Sequence, residues 1–323
     1  MLSRLGELPL LVLLIGVAAL AMLVPVVFGW TIGETEAAQK FLFGAAIFAV
    51  VFALMAFATA NYRPRHRAVG HLASLVLAYL LLPLVLAVPF AEAVPDTRFL
   101  NAYVEMVSAL TTTGATLFDQ AERLPDTVHL WRVLVGWLGG FLVWVTAVAI
   151  LAPLNLGGFE VRAAGLSDSR ATWQVGTQDG GGAEQAHRMR RYVRRLAPIY
   201  CALTLALAVV LMIAGDPPFL AVSHAMSTLA TSGISPGDGP ATAPSGLLGE
   251  VAIFAFLIFA LSRQTFSRDV LGGDATQLLG DPELRMAAAL IVVVPLALFL
   301  RHWLGALEVD AQQNLGWALA ALW

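Results

Sequence analysis

Stretches of about twenty apolar residues, almost free of charge, recur along this chain and restrict its fold more than any other feature. Each is long enough to cross a hydrocarbon layer about 30 Å thick as a helix. Seven such spans are expected, at roughly 9–29, 40–60, 71–89, 130–153, 195–214, 246–266 and 284–304. None alternates polar and apolar residues as a half-buried strand would, and a helix satisfies its own backbone hydrogen bonds inside lipid. With 59 % of residues hydrophobic and 13 % charged, 323 residues do not make two soluble domains. The run from Pro9 to Phe28 follows Arg4 but exceeds the apolar core of a signal peptide, so a retained helix is expected there.

The basic residues orient the spans. With the N-terminus in the cytoplasm, inner segments hold fourteen arginines, from Arg4 through Arg63, Arg65 and Arg67 to Arg285. Outer segments hold Lys40, Arg98, Arg123, Arg132 and Arg301, so the inward bias is nearly threefold. A net charge of −3 and a pI near 6.1 give no reason to expect a nucleic-acid partner. Cys201, the single cysteine, lies in an apolar run and is expected to be a buried, inert thiol. No His/Cys cluster has metal-ligand spacing, and neither a nucleophile elbow nor a phosphate-binding glycine loop occurs, so an enzyme is not expected.

Two outer connections differ from ordinary loops. Residues 97–118 (TRFLNAYVEMVSALTTTGATLF) and 217–236 (PPFLAVSHAMSTLATSGISP) are apolar yet too short to span. Each follows a proline and an acidic residue, keeps a helical pattern for about three turns, and breaks at a glycine. That pattern describes a half-helix entering the membrane and returning as an extended segment, tolerated only where protein or a water-filled path surrounds it. The two are also repeats. At an offset of 119, Ser108, Leu110, Thr112 and Gly114 meet Ser227, Leu229, Thr231 and Gly233, and Thr116 meets Ser235. Each copy sits between two spanning helices, behind an unrelated leading pair.

The segment YVEMVSALTTTGAT from Tyr103, followed by Trp131-Arg132 and GWLGGFLVWVTAVAILAPLNLGG, closely resembles the Trk/Ktr potassium-uptake subunits, most of all their TrkH branch. RRLAPIYCALTLAL leading to SHAMSTLATSGISP, and Asp281-Pro282-Glu283-Leu284-Arg285, extend the resemblance over essentially the whole chain. It implies an all-α integral membrane fold: two leading helices, then potassium-channel-like helix–pore-loop–helix units. The expected parts are a leading pair over 1–65, a first unit over 66–160, a cytoplasmic connection over 161–192 and a second unit over 193–268. Residues 269–323 would hold another connection and the beginning of an incomplete third unit. The family carries four units, so this chain is expected to be an N-terminal portion that forms no conducting path alone. One departure stands in the second loop, where the family usually has Ala-Thr-Gly-Gly-Phe and this chain has Ala230-Thr231-Ser232-Gly233-Ile234.

The resemblance implies potassium uptake across the cytoplasmic membrane. The expected filter residues are Thr111, Thr112, Thr113 and Gly114, with Ala230, Thr231, Ser232 and Gly233. Rings of backbone carbonyls can replace an ion's hydration, and glycine supplies dihedrals that a Cβ forbids. Each half-helix would also point its negative C-terminal end at the cation path. No covalently bound cofactor is expected, only K+ as transported ion. Expected partners are the bilayer, a second copy in a homodimer, and a cytosolic nucleotide-binding regulatory subunit. A sodium-dependent Ktr-type transporter and a non-conducting scaffold are the alternatives. Outer acids (Glu92, Asp96, Asp119, Glu122, Asp126, Asp216, Asp238) would form a cation-attracting vestibule. Glu105 and His224, equivalent in the repeat, are expected to hold nearby backbone; Gly139-Gly140 to allow close packing; and the arginines from Arg188 to Arg195 to meet anionic head groups or a docking partner.

Overall fold

The computed structural model describes residues 9–59, 68–118, 120–147, 182–237, 239–261 and 282–305. Among them every regular element is helical: α1 (Leu10–Ala21), α2 (Leu23–Ile32), α3 (Thr35–Thr59), α4 (Ala68–Ala93), α5 (Phe99–Leu110), α6 (Asp126–Thr146), α7 (Gly182–Ala214), α8 (Pro218–Ala230), α9 (Gly246–Leu261) and α10 (Pro282–Gly305). Five stretches are long and apolar enough to span: Leu10–Ile32, Thr35–Thr59, Leu75–Ala93, Asp126–Thr146 and Met189–Ala214. All seven expected spans coincide with helices, but their limits move. The first is two helices joined at Met22, α3 begins five residues early, and α6 begins at Asp126 instead of residue 130. Helix α7 starts at Gly182, so Arg190 to Arg195 continue a spanning helix and are not loop residues. The connection over 148–181, the outer residues Asp119 and Asp238, and the third-unit residues 306–323 lie outside the described residues.

The outside of the bundle is apolar. Phe57, Ile213, Leu20 and Leu205 expose 86 %, 80 %, 69 % and 65 % of their surface, as expected of helices set in an apolar surrounding and not in water. Cys201 is exposed on α7, not buried as expected, because it falls on this outward stripe. Packing follows the repeat: α4 lies on α5, α7 on α8, and α6 touches both α5 and α8.

Side chains on α6 hold it in the middle. Trp131 is fully buried, donates from Nε1 to the Leu86 carbonyl at 3.1 Å, and meets Phe41 edge to face. Trp137 donates to Thr204 Oγ1 at 3.1 Å and stacks on Tyr200, whose hydroxyl donates to the Trp137 carbonyl at 3.1 Å. Helix α6 is thereby fixed to α3 and α4 on one side and to α7 on the other.

Two carboxylates cover the starts of the helices that follow each half-helix. Glu34 accepts from the backbone N–H groups of Asp126 and Thr127, at 3.0 and 2.9 Å, at the beginning of α6. Asp216 accepts from the Ser245 N–H at 2.8 Å, just before α9. Residues 126 and 245 are repeat equivalents, so the same orphan donors receive an anion in both units. These contacts remove Asp216 from the expected vestibule, while Glu92, Asp96, Glu122 and Asp126 are exposed. Asp216 is buried and occupied by its cap, and Asp96 pairs with Arg123 at 2.7 Å.

Candidate functional site

Helices α5 and α8 contain 12 and 13 residues. At 1.5 Å per residue they reach about 20 Å, short of a bilayer core. Pro218 occupies the first turn of α8, where a missing N–H costs nothing. Both helices end in the same closure. In the first, the Thr112 N–H donates to the Ala109 carbonyl at 3.0 Å and the Thr113 N–H to the Ser108 carbonyl at 2.9 Å. In the second, Thr231 donates to Thr228 and Ser232 to Ser227, both at 3.0 Å. This pair of bonds is the Schellman motif, which places the residue after the cap in the left-handed region.

Here that residue is a threonine twice: Thr112 has φ 55° and Thr231 has φ 52°. They are the only non-glycine residues with positive φ among the described residues. A β-branched side chain in this region costs on the order of 1–3 kcal/mol, so the surroundings must impose it. Two residues further, Gly114 has φ 73° and Gly233 has φ 64°. The order helix end, left-handed threonine, one residue, positive-φ glycine is thus reproduced at the 119-residue offset.

The imposed surroundings come largely from α6. A Cβ placed on Gly139 would lie 2.8 Å from the Leu110 carbonyl carbon, and one on Gly140 would lie 2.9 Å from Ala230 Cα. On Gly136 it would lie 3.0 Å from Ile234 Cδ1. Three glycines on one helix therefore let it press against the ends of both half-helices, extending the close packing expected for Gly139-Gly140. The loops also meet each other. A Cβ on Gly114 would collide with the Ser232 carbonyl, so the contact is backbone to backbone.

The residues expected at the site are accordingly brought together, with different exposures. Thr111 and Thr113 are exposed and share a hydrogen bond between hydroxyls at 2.8 Å; Thr112 and Gly114 are half-buried. In the second loop Thr231 and Gly233 are exposed, whereas Ala230 and Ser232 are buried. Open space surrounds Gly233, with no atom within 4 Å of an added Cβ. Ser232, the departure from the usual glycine, fits because its hydroxyl meets Ser227 Oγ at 3.2 Å while its backbone faces Gly114.

Behind the first loop lies a buried ion pair that the sequence reading did not assemble. Glu105, 2 % exposed, meets Arg132 Nη2 at 2.6 Å through Oε1. Its Oε2 accepts from the Leu117 N–H at 3.1 Å and from Thr116 Oγ1 at 3.3 Å. Arg132 Nη1 lies 3.4 Å from His129 Nδ1. Nδ1 accepts there from the guanidinium, which leaves the Nε2–H to donate to the Ala121 carbonyl at 2.8 Å. In the second unit His224 Nε2 bonds Ser235 Oγ at 3.0 Å. His224 holds the Ser235 side chain there. The signal available was the alignment of Thr116 with Ser235; Arg132 showed itself only as part of Trp131-Arg132.

Two half-helices with matching kinked returns, enclosed by lipid-facing spanning helices, define a helical membrane protein of the re-entrant-loop class. The family model described as TrkH, a cation transport protein, matches residues 38–238, and the chain belongs to that family. It is a family of transporters, not of enzymes. Curated relatives include the Trk system potassium uptake protein TrkI of Halomonas elongata, 34 % identical over 66 % of this chain and 41 % of its own length. TrkH of Salmonella typhimurium is 30 % identical over 80 % of this chain and 54 % of its own. The crystal structure of the potassium transporter TrkH from Vibrio parahaemolyticus superposes with a TM-score of 0.77 at 25 % identity, covering all of this chain and 64 % of that one. The chain thus spans about half the length of the curated relatives it matches.

Proposed function

We propose that this chain supplies two of the loops that line a potassium path in a membrane uptake protein. The observation that carries the reading is the repeated backbone: Thr112–Gly114 and Thr231–Gly233 share one unusual conformation and meet where α5 and α8 end. Family membership and the potassium uptake named for its relatives point to the same cation.

In this reading the carbonyls of Thr111, Thr112, Thr113 and Gly114, with those of Ala230, Thr231, Ser232 and Gly233, replace water around a dehydrated K+. No residue forms a bond to the ion; the chain's contribution is to hold carbonyl dipoles in place. The C-terminal ends of α5 and α8 add a weak negative potential. K+ is the transported ion, and no further cofactor takes part.

The N-terminus is assigned to the cytoplasmic side of the inner membrane by the arginine bias. Leu196 to Ala214 is about 28 Å of helix, which matches the hydrocarbon layer and leaves Arg190, Arg191, Arg194 and Arg195 at head-group depth. A second copy of the chain and a cytosolic nucleotide-binding ring are the assigned protein partners.

Uptake of radioactive rubidium or potassium, in cells lacking their own uptake systems and expressing the complete reading frame, tests the proposal. Potassium-selective uptake that falls at least tenfold on Gly114→Ala is expected. Equal uptake of sodium, or uptake indifferent to Gly114, would overturn it.

A further inference from the structure

The repeat that relates the two loops also relates the groups behind them. Glu105 and His224 are 119 positions apart, as are Thr116 and Ser235. Each pair is hydrogen-bonded, Glu105 Oε2 to Thr116 Oγ1 at 3.3 Å and His224 Nε2 to Ser235 Oγ at 3.0 Å. Both helix residues are 2 % exposed. The clasped residue stands two positions beyond the positive-φ glycine in both cases.

Consider what this does to each return segment. On its near side it is fixed by the bond into the Ser108 or Ser227 carbonyl, made by Thr113 or Ser232. On its far side it is fixed by the clasp at Thr116 or Ser235. Only Gly114-Ala115 and Gly233-Ile234 remain between the two attachments. A segment so short, held at both ends, has little freedom to rotate its peptide planes.

The chemistry of the clasps differs. Arg132 lies 2.6 Å from Glu105 and fixes the carboxylate, which also accepts the Leu117 N–H at 3.1 Å. The position equivalent to Arg132 is Val251, which has no charge to offer. A carboxylate at 224 would then be buried without a counter-charge, an expensive arrangement. An imidazole makes the same contact while neutral.

Accepting the potassium reading above, we propose that Glu105 and His224 are equivalent positioning residues, each setting ion selectivity by holding its return segment from behind. Neither touches the ion. The first clasp is ionic, with Arg132 behind its carboxylate; the second joins an imidazole to a hydroxyl.

The test measures potassium and sodium uptake in the complete reading frame for Glu105→Ala, His224→Ala and His224→Gln. Glu105→Ala should lower the potassium-to-sodium uptake ratio about tenfold, equal to about 1.4 kcal/mol of discrimination. His224→Ala should lower it about threefold, and His224→Gln, which keeps an amide to meet Ser235, should restore most of the ratio. A role in folding alone would reduce both ions in proportion and leave the ratio unchanged, and that result would overturn the proposal. Should Glu105→Ala fail to reach the membrane, Glu105→Gln with Arg132→Gln removes the buried charges together and is read by the same ratio. Wild-type protein without potassium uptake would refute the underlying functional reading. A selective wild type with alanine variants of equal ratio would refute only the clasps.

Discussion

Replacing Gly139 by alanine tests whether α6 is the element that holds the two loops in place. The new methyl would stand 2.8 Å from the carbonyl carbon of Leu110 and 3.0 Å from its Cα, with the oxygen closer still. Those atoms are backbone at the end of α5, so no rotamer change can make room. Either α5 or α6 must retreat by at least about half an ångström at the carbonyl carbon, with its oxygen moving further. Overpacking of this kind costs about 2–3 kcal/mol. At roughly 2–4 °C per kcal/mol for a chain of a few hundred residues, the unfolding midpoint should drop by about 5–10 °C. Tryptophan fluorescence of the detergent-solubilised protein during heating is a suitable assay, because Trp131 and Trp137 sit on the same helix. Gly237→Ala is the control: its added methyl has nothing within 4 Å, and the midpoint should move by less than about 1 °C. An unchanged midpoint for Gly139→Ala would show that α6 and α5 are not in close contact, and the argument for an imposed loop backbone would fall with it.

Other outcomes follow from the same contacts. Thr231→Gly should stabilise the fold by about 0.5–1 kcal/mol, because glycine accepts a φ near 52° without strain; a clear loss of stability would contradict the left-handed assignment. Glu34→Ala should cost about 1–2 kcal/mol by freeing the Asp126 and Thr127 N–H groups, with Glu34→Gln milder, both read as unfolding midpoints. Arg123→Ala, which removes the exposed pair with Asp96, should change stability by less than about 1 kcal/mol, and less again in high salt.

What could be read from the residues was set by how local each signal is. The spans announce themselves through length and hydropathy. The half-helices announce themselves through an apolar pattern that stops at Gly114 or Gly233, since a glycine break needs no knowledge of neighbours. Helix limits were less legible: α3 begins at Thr35 and α6 at Asp126, before their apolar runs, and at α6 Glu34 satisfies the first N–H groups from another part of the chain. Asp216 misled for a related reason. Charge alone cannot distinguish a carboxylate facing water from Asp216, which faces a helix start. Glu105 and Arg132 are 27 positions apart, and only the packing of α5 on α6 makes them partners. The exposure of Cys201 depends on which stripe of α7 faces outward, and the apolar half of that helix gives no hint of it.

The two loops amount to a mutagenesis experiment already performed on one backbone. Between positions 108 and 116 every second residue matches its counterpart between 227 and 235: serine, leucine, threonine and glycine are identical, and threonine is replaced by serine at the last. The intervening positions all changed, Ala109 to Thr228, Thr111 to Ala230, Thr113 to Ser232 and Ala115 to Ile234. Most of the invariant set have identifiable backbone or hydroxyl tasks: a carbonyl that closes the helix, a left-handed turn, a positive φ, a clasp. The varied set keeps side-chain contacts of its own, which differ between the loops: Thr111 and Thr113 share a bond between hydroxyls, Ser232 meets Ser227 Oγ, and Ile234 lies against Gly136. One backbone is thus built with two different sets of intervening side chains, so its left-handed turn and positive-φ glycine do not depend on which set is present.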